Sequence, residues 1–267
     1  MKGRVLIIAG SDSGGGAGIQ ADIKTVSALG GYAATAITAL TAQNTLGVHG
    51  VVPVAPDFIV QQMQVVLQDI GADAIKTGML YDEHVVDVVC DVLESDAQGI
   101  PVIVDTVMVA KGGASLLSDK AAARLHDRLM PLATLITPNI PEAEALTGLS
   151  IKDEADMKVA GEALLHQGAQ AVLLKGGHGE GEELVDLLFD GKTLHRFTSQ
   201  RIDTSHAHGT GCTLSSAIAT YVAQGYPLVD AVELARDYVH EAIQKAPGFG
   251  QGHGPLNHMH VLPSKDA

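Results

Sequence analysis

The feature that most constrains this chain is an alternation. Short, unbroken apolar runs recur along it, each closing in polar or glycine residues and followed by a stretch with helical spacing. Val5-Leu6-Ile7-Ile8-Ala9, Pro101-Val102-Ile103-Val104, Thr134-Leu135-Ile136-Thr137 and Ala171-Val172-Leu173-Leu174 are such runs. A strand that is apolar at every position has to be covered on both faces. Apolar residues at three- and four-residue intervals predict helices over Ala17–Leu29, Pro56–Ile70, Asp82–Leu93, Asp119–Leu129, Pro141–Thr147 and Glu154–Gln167. Ala33–Leu40 and Asp73–Met79 add strands. Glu183–Phe189 and Leu194–Gln200 flank Asp190-Gly191-Lys192 and predict an edge hairpin. A last helix is expected near Leu228–Lys245, with an irregular Gly/His-rich surface tail. The whole predicts one α/β domain over residues 1–267: three layers, a mostly parallel central sheet and helices on both faces.

In such sheets ligands bind beyond the carboxyl ends of the strands. That edge collects the Gly10 loop, Gln43, Met79, Asp105, Asn139 and Lys175. The loop Gly10–Gly18 is rich in glycine but fits neither familiar nucleotide fingerprint. Gly14-x-Gly16-x-x-Ile19 lacks the third glycine, and no Gly-Lys-Ser/Thr follows. A more telling stretch is His208-Gly-Thr-Gly-Cys212, which runs into the helical sequence Leu214–Ala223. The first amides of a helix have no intrahelical partner and carry the positive end of its dipole. Gly209, Thr210 and Gly211 therefore form a candidate phosphate cradle. Cys212 stands in the first turn, where the same field favours a thiolate; a small buried hydrophobe is the other reading.

Composition narrows the partners. A net charge of −14, with 3% aromatics and no Trp, argues against nucleic acid. No apolar run approaches a membrane span, and Val5–Ala9 is too short for a signal segment. Two cysteines, Cys90 and Cys212, suit a reducing, cytoplasmic setting with no disulfide framework.

Several residues carry candidate chemistry. Asn139-x-x-Glu142, where a strand meets a helix, suits an oxygen ligand to Mg²⁺, as does Asp105 at a strand end. The alternative for Glu142 is a first-turn acid complementing the helix dipole, and for Asp105 a helix-cap or loop hydrogen bond. Lys175 closes its strand, where a single cation can meet phosphate oxygens or mark a solvated strand end. Cradle, cation and metal site are the parts of phosphoryl transfer. Covalent chemistry at Cys212 with His206 or His208 as base is a competing use, but it leaves Asn139, Glu142 and Lys175 idle. His253, His258 and His260 lack the pattern of a metal set.

Seven segments occur in order: Gly10-Ser-Asp-Ser-Gly-Gly-Gly-Ala-Gly-Ile-Gln-Ala-Asp22, Thr38-Ala-Leu-Thr-Ala-Gln-Asn44, Lys76-Thr-Gly-Met79, Asp105-Thr-Val-Met-Val109, Thr137-Pro-Asn-x-x-Glu142, Lys175-Gly-Gly-His178 and His208-Gly-Thr-Gly-Cys212. Together they resemble the hydroxymethylpyrimidine/phosphomethylpyrimidine kinases of thiamine biosynthesis, within the ribokinase-like superfamily. The resemblance implies an ATP- and Mg²⁺-dependent kinase, a homodimer, acting on 4-amino-5-hydroxymethyl-2-methylpyrimidine and then on its monophosphate. It implies that Gln43 reads the ring's amidine-like edge, with Gly10, Ala17, Met79 and Val107 lining the pocket. Gly209, Thr210 and Gly211 would form the anion hole, Lys175 would meet ATP phosphates, and Asn139 and Glu142 would organise Mg²⁺. Cys212 would be the catalytic base where most sugar kinases of the superfamily carry Asp. Some pyridoxal kinases share this Cys-bearing pattern. A catalytically silent pyrimidine-binding regulator is a further alternative, against which the joint retention of Asn139, Glu142, Lys175 and the cradle weighs.

Overall fold

The computed structural model describes residues 1–108, 118–177 and 183–262. Its elements in chain order are β1 (Arg4–Asp12), α1 (Gly18–Ala28), β2 (Tyr32–Asn44), β3 (Gly47–Pro53), α2 (Pro56–Asp69), β4 (Ala74–Thr77), α3 (Glu83–Asp96), β5 (Val102–Val104), α4 (Asp119–Arg124), β6 (Leu135–Ile136), α5 (Ile140–Thr147), α6 (Glu154–His166), β7 (Val172–Lys175), β8 (Glu183–Phe189), β9 (Leu194–Gln200), α7 (Thr210–Ala223) and α8 (Leu228–Gln244). The strands form one sheet in the order β3-β2-β1-β4-β5-β6-β7-β8-β9. From β2 to β7 all pairings are parallel, while β3 and the β8–β9 hairpin are antiparallel.

The apolar runs behave as their composition requires. Leu6, Ile8, Ile75, Val104, Ile136 and Leu174 pack on one face with residues from α2 to α6. Val5, Ile7, Ile103, Leu135 and Leu173 pack on the other with α1, α7 and α8. Successive strand residues point to opposite faces, so a run apolar throughout becomes the shared middle of two cores. This is the three-layer α/β fold with helices on both sides of a mostly parallel sheet.

The differences from expectation are local. Strand β2 continues to Asn44, whose Oδ1 accepts from the amides of Leu46 (2.9 Å) and Gly47 (3.3 Å) and turns the chain into β3. Strand β3 is mostly exposed and so carries no apolar alternation to betray it. The helix expected over Asp119–Leu129 stops at Arg124 and widens to a π-turn over Leu125–Leu129. Pro131, just beyond, has no N–H to return to the preceding turn. The tail does not lie on the surface as expected. His258 is buried, with Nε2 3.0 Å from Thr213 Oγ1 and its carbonyl accepting from Tyr238 OH at 2.7 Å. Burial pushes its pKa down to about 4, so it is a neutral strut between the tail, α7 and α8. No helix among the described residues is long and apolar enough to cross a membrane.

Candidate active site

A cavity of about 770 Å³ opens at the carboxyl ends of the parallel strands, where the alternation placed it. Its floor begins in the loop after β1. There Asp12 Oδ1 accepts from Gly14 N at 2.8 Å, and Oδ2 accepts from Gly16 N (3.1 Å) and Ala17 N (2.9 Å). The same Oδ2 lies 3.0 Å from His208 Nε2, which ties this loop to the start of α7. Burial works against the Asp12 charge, but the His208 hydrogen bond and the amide donors outweigh it and hold the carboxyl below its ordinary value.

The two loops interlock through bare backbone. Gly209 caps α7 with φ +84°, and a Cβ there would strike the carbonyl oxygen of Gly16. A side chain is therefore refused both by conformation and by space. Thr210 Oγ1 donates to Ala207 O at 2.7 Å, and Thr213 Oγ1 to Gly209 O at 2.8 Å. These bonds fix the first turn of α7 with its opening amides at the cavity.

Lys175, Asp105 and that first turn converge. A Cβ on Gly211 would stand 3.5 Å from Asp105 Oδ1 and 3.6 Å from Lys175 Nζ. Lys175 Nζ is 3.9 Å from Asp105 Oδ1, and Lys76 Nζ is 4.0 Å from Asp105 Oδ2. Asp105 thus lies between two lysines rather than within a ring of oxygen ligands, and its Oδ2 has no hydrogen bond among the described residues.

Lys76 is fully buried, with Nζ 2.9 Å from both oxygens of Asp22, and Ser216 Oγ donates to Asp22 Oδ1 at 2.7 Å. Burial disfavours the ammonium, but Asp22, Cys212 and Asp105 outweigh it and raise the Lys76 pKa. Burial raises the Asp22 carboxyl, against the pull of Lys76 and Ser216. With both oxygens at hydrogen-bonding distance from the ammonium, the pair is ionised.

Cys212 is partly exposed and borders the cavity, and desolvation of its sulfur pushes the thiol up to about 12. Lys76 and an amide hydrogen bond from Gly18 favour the anion, but Asp105 and Asp22 oppose it. Desolvation and the two acids oppose the thiolate that the helix start, Lys76 and the Gly18 amide favour. Among the described residues Cys212 has no histidine partner, since His208 turns to Asp12.

The Asn139-x-x-Glu142 motif forms a complete capping box. Asn139 Oδ1 accepts from Glu142 N, and Glu142 Oε2 accepts from Asn139 N, both at 2.9 Å. Thr106 Oγ1 also donates to Glu142 Oε2 at 2.9 Å. Burial raises the Glu142 pKa, partly offset by Lys175. Among the described residues no three His, Cys, Asp or Glu side chains form a metal cage. The donor set still fits Mg²⁺, which keeps several waters and needs one or two carboxylates plus substrate phosphates. Glu142 is the carboxylate that could serve there, with the Asn139 backbone amide fixing its position.

Gln43 borders the same cavity, with Nε2 3.3 Å from His208 Nε2. Ala17, Met79 and Val107 line the cavity with it. Gly10 is packed under Met79: a Cβ there would collide with Met79 Cε. The structure therefore brings together Gly10, Ala17, Gln43, Met79, Asp105, Val107, Asn139, Glu142, Lys175 and the Gly209–Cys212 turn. Val109 and His178, which close two of the quoted segments, lie outside the described residues.

Sequence reasoning gave Asp12 and the Lys76–Asp22 pair no role, although all three lie in the quoted segments. The only local signal was charge inside apolar surroundings, as with Lys76 in Ala74-Ile75-Lys76. Ile202, His240 and Ile243 were also missed; they line the same cavity.

Comparison with known proteins places this geometry. Residues 12–257 match the phosphomethylpyrimidine kinase family. The chain is 53% identical over 265 residues to the thiamine biosynthesis bifunctional protein ThiED of Geobacter sulfurreducens, covering 99% of this chain but 54% of that longer protein. It is 50% identical to the hydroxymethylpyrimidine/phosphomethylpyrimidine kinase of Bacillus subtilis, covering 96% of this chain and 94% of that one. Among solved structures, phosphomethylpyrimidine kinase from Clostridium difficile 630 superposes with a TM-score of 0.81 at 44% identity, covering 91% of this chain and 100% of that one. An ADP complex of Bacillus subtilis pyridoxal kinase superposes with a TM-score of 0.89 at 37% identity, covering 97% and 98%. By sequence along nearly its whole length, and by fold, the chain belongs to the phosphomethylpyrimidine kinase family.

Proposed function

We propose that one domain, residues 1–267, transfers phosphoryl groups from ATP to the hydroxymethyl group of 4-amino-5-hydroxymethyl-2-methylpyrimidine and then to the resulting monophosphate, in thiamine biosynthesis. The observation that carries this reading is the meeting of three parts in one cavity of a chain from this family. These are the amide cradle at Gly209–Cys212, the Lys175 cation and the double-faced Gln43 amide.

The residues divide the work by chemistry. Gln43 offers a donor and an acceptor to the ring's amidine-like edge, while Gly10, Ala17, Met79 and Val107 enclose the ring. The amides of Gly209, Thr210 and Gly211 and the Lys175 ammonium stabilise charge on the transferring phosphoryl group. Mg²⁺, when bound with the nucleotide at Glu142, would neutralise phosphate charge. The apolar side chains of Ile202 and Ile243 suit the nucleoside end of ATP, and the ADP held by the pyridoxal kinase relative supports nucleotide use.

Cys212 borders the cradle where the acceptor hydroxyl must lie. In the first transfer the thiol gives its own proton to water in the cavity it borders. The thiolate, favoured by Lys76 and the Gly18 amide, then takes the hydroxyl proton as the new oxygen–phosphorus bond forms and the bond to ADP breaks. The second acceptor is a phosphate oxygen, already ionised, and needs no base. That step instead needs positive potential to hold two anionic groups in line. A homodimer in a reducing cytoplasm belongs to the same reading. Exposed Leu46, Val52 and Phe58 supply apolar surface, and neither cysteine is in a disulfide.

The test is to supply the alcohol, its monophosphate and pyridoxal separately and to measure ATP consumption. Turnover of both pyrimidines is expected. Turnover of pyridoxal with the monophosphate left untouched would replace this reading with that of a one-step vitamin kinase.

A further inference from the structure

His208 has so far served only to tie two loops together, yet its contacts decide a question that Gln43 leaves open. A carboxamide has a donor end and an acceptor end, and which end is which follows from the partners. In the structure Gln43 Nε2 stands 3.3 Å from His208 Nε2, and Gln43 Oε1 stands 3.2 Å from Thr41 Oγ1.

Each of these contacts can be checked against a third group. His208 Nε2 also lies 3.0 Å from Asp12 Oδ2, which in turn accepts from Gly16 N and Ala17 N. An ionised carboxylate only accepts, so His208 Nε2 must carry the hydrogen, whether the ring is neutral or charged. It then meets the Gln43 NH₂ donor to donor. On the other side Thr41 Oγ1 is 2.9 Å from Ser11 O. That carbonyl also only accepts, so the one hydroxyl proton of Thr41 points at it. The lone pairs left on Thr41 then meet Gln43 Oε1 acceptor to acceptor. Two independent contacts fail, and one rotation of the amide removes both clashes: Nε2 then donates to the free lone pair of Thr41 Oγ1, and Oε1 shares the His208 Nε2 hydrogen with Asp12 Oδ2.

We propose that the Asp12–His208 pair and Thr41 lock the Gln43 amide with Oε1 toward His208 and Nε2 toward Thr41, and thereby set which way round the substrate ring lies. The inference rests on the pyrimidine reading above. A 4-aminopyrimidine edge presents a ring nitrogen that accepts and an amino group that donates. Paired with the locked amide, the ring nitrogen faces Gln43 Nε2 and the amino group faces Oε1, on the His208 side. The hydroxymethyl group is on the carbon next to the amino-bearing one. It is therefore carried toward the turn that follows His208, Gly209 to Cys212, where the phosphoryl cradle stands. With the amide the other way round, the same pairing would turn the hydroxymethyl group away from the cradle. His208, Asp12 and Thr41 are positioning residues for specificity, acting through Gln43.

The test uses a mirror-patterned probe, the analogue with a 4-oxo group in place of the 4-amino group, whose edge reverses donor and acceptor. Titration calorimetry on the full chain reads the affinities of both rings without needing turnover. The wild type should strongly prefer the amino ring. In His208→Ala, and separately in Thr41→Val, one side of the lock is gone and the amide can turn. The preference should fall by about 10- to 100-fold, the scale of one buried polar group left mismatched. Loss of fold or of general packing would weaken both rings alike and leave the ratio unmoved. A ratio within twofold of wild type in both variants overturns the inference, as does a wild type with no preference. A wild type that prefers the amino ring but phosphorylates neither pyrimidine supports the lock and overturns the proposed function alone.

Discussion

Replacing Lys76 by methionine would leave Asp22 as a lone carboxylate in a fully buried site. Both oxygens of Asp22 are 2.9 Å from the ammonium, and Ser216 Oγ is the remaining donor among the described residues. Breaking a buried pair by removing one partner costs about 3–5 kcal/mol. In a chain of this size each kcal/mol moves the melting midpoint by roughly 2–4 °C, so Lys76→Met should melt roughly 6–20 °C below wild type. The pH dependence has a definite sign. Without its cation Asp22 keeps the desolvation that raises its pKa in the folded state above the unfolded ~3.9. Protonated Asp22 stabilises the fold at low pH, and that contribution is lost as pH rises through the folded value. The variant should therefore be closer to wild type at pH 5 than at pH 8. Changing Asp22 to Asn as well removes the stranded charge and should recover most of the loss. Thermal and urea melts followed by circular dichroism at the two pH values measure all of this. A single variant within about 1 kcal/mol of wild type, the scale of an exposed ion pair, with no pH dependence would refute the buried-charge argument.

Cys212→Ala should lower kcat for the first phosphorylation by roughly 10²–10⁴-fold while ATP binding is kept; near-normal turnover would leave Cys212 a packing residue. Because its thiol is pushed up to about 12, iodoacetamide should label Cys212 slowly at pH 7.5 and faster as pH climbs. Fast labelling of the ligand-free protein at neutral pH, read by mass spectrometry, would contradict that. Gln43→Leu should weaken pyrimidine binding by a few kcal/mol and leave ATP affinity unchanged, which calorimetry checks with each ligand in turn. Lys175→Ala should harm the second phosphorylation at least as badly as the first, whereas Cys212→Ala should harm the first more; equal effects of both variants on both steps would remove the division of labour.

Much of the architecture was written locally. Val5–Ala9 and Ala171–Leu174 announced buried strands because an apolar residue at every position has no solvent face to offer. The hairpin strands were read to the residue, since Asp190-Gly191-Lys192 marks the turn and side-chain period marks the arms. Helix ends moved by only a few residues, often because the first residue assigned to the helix is its cap, as with Asp82 before α3. The positions of Gln43, Met79, Asp105, Asn139 and Lys175 at one sheet edge followed from strand direction alone.

What the tertiary structure decided are the pairings between residues far apart in the chain. Asp12 meets His208 across 196 positions and Ser216 meets Asp22 across 194, and no local pattern records either partner. The state of Cys212 was decided in the same way. Its first-turn position favours a thiolate, a statement about one helix. Burial and the charges of Asp105 and Asp22, which belong to other elements, oppose the anion, while Lys76 favours it. His258 likewise seemed a surface residue of a loose tail until Thr213 and Tyr238 received it in the core. Periodicity and the alternation of strand with helix are properties of neighbours along the chain, and so the layers and the edge where ligands bind are legible in the sequence alone. Protonation, charge pairing and amide orientation depend on dielectric and on partners a few ångströms away in space, and only the folded chain assembles those.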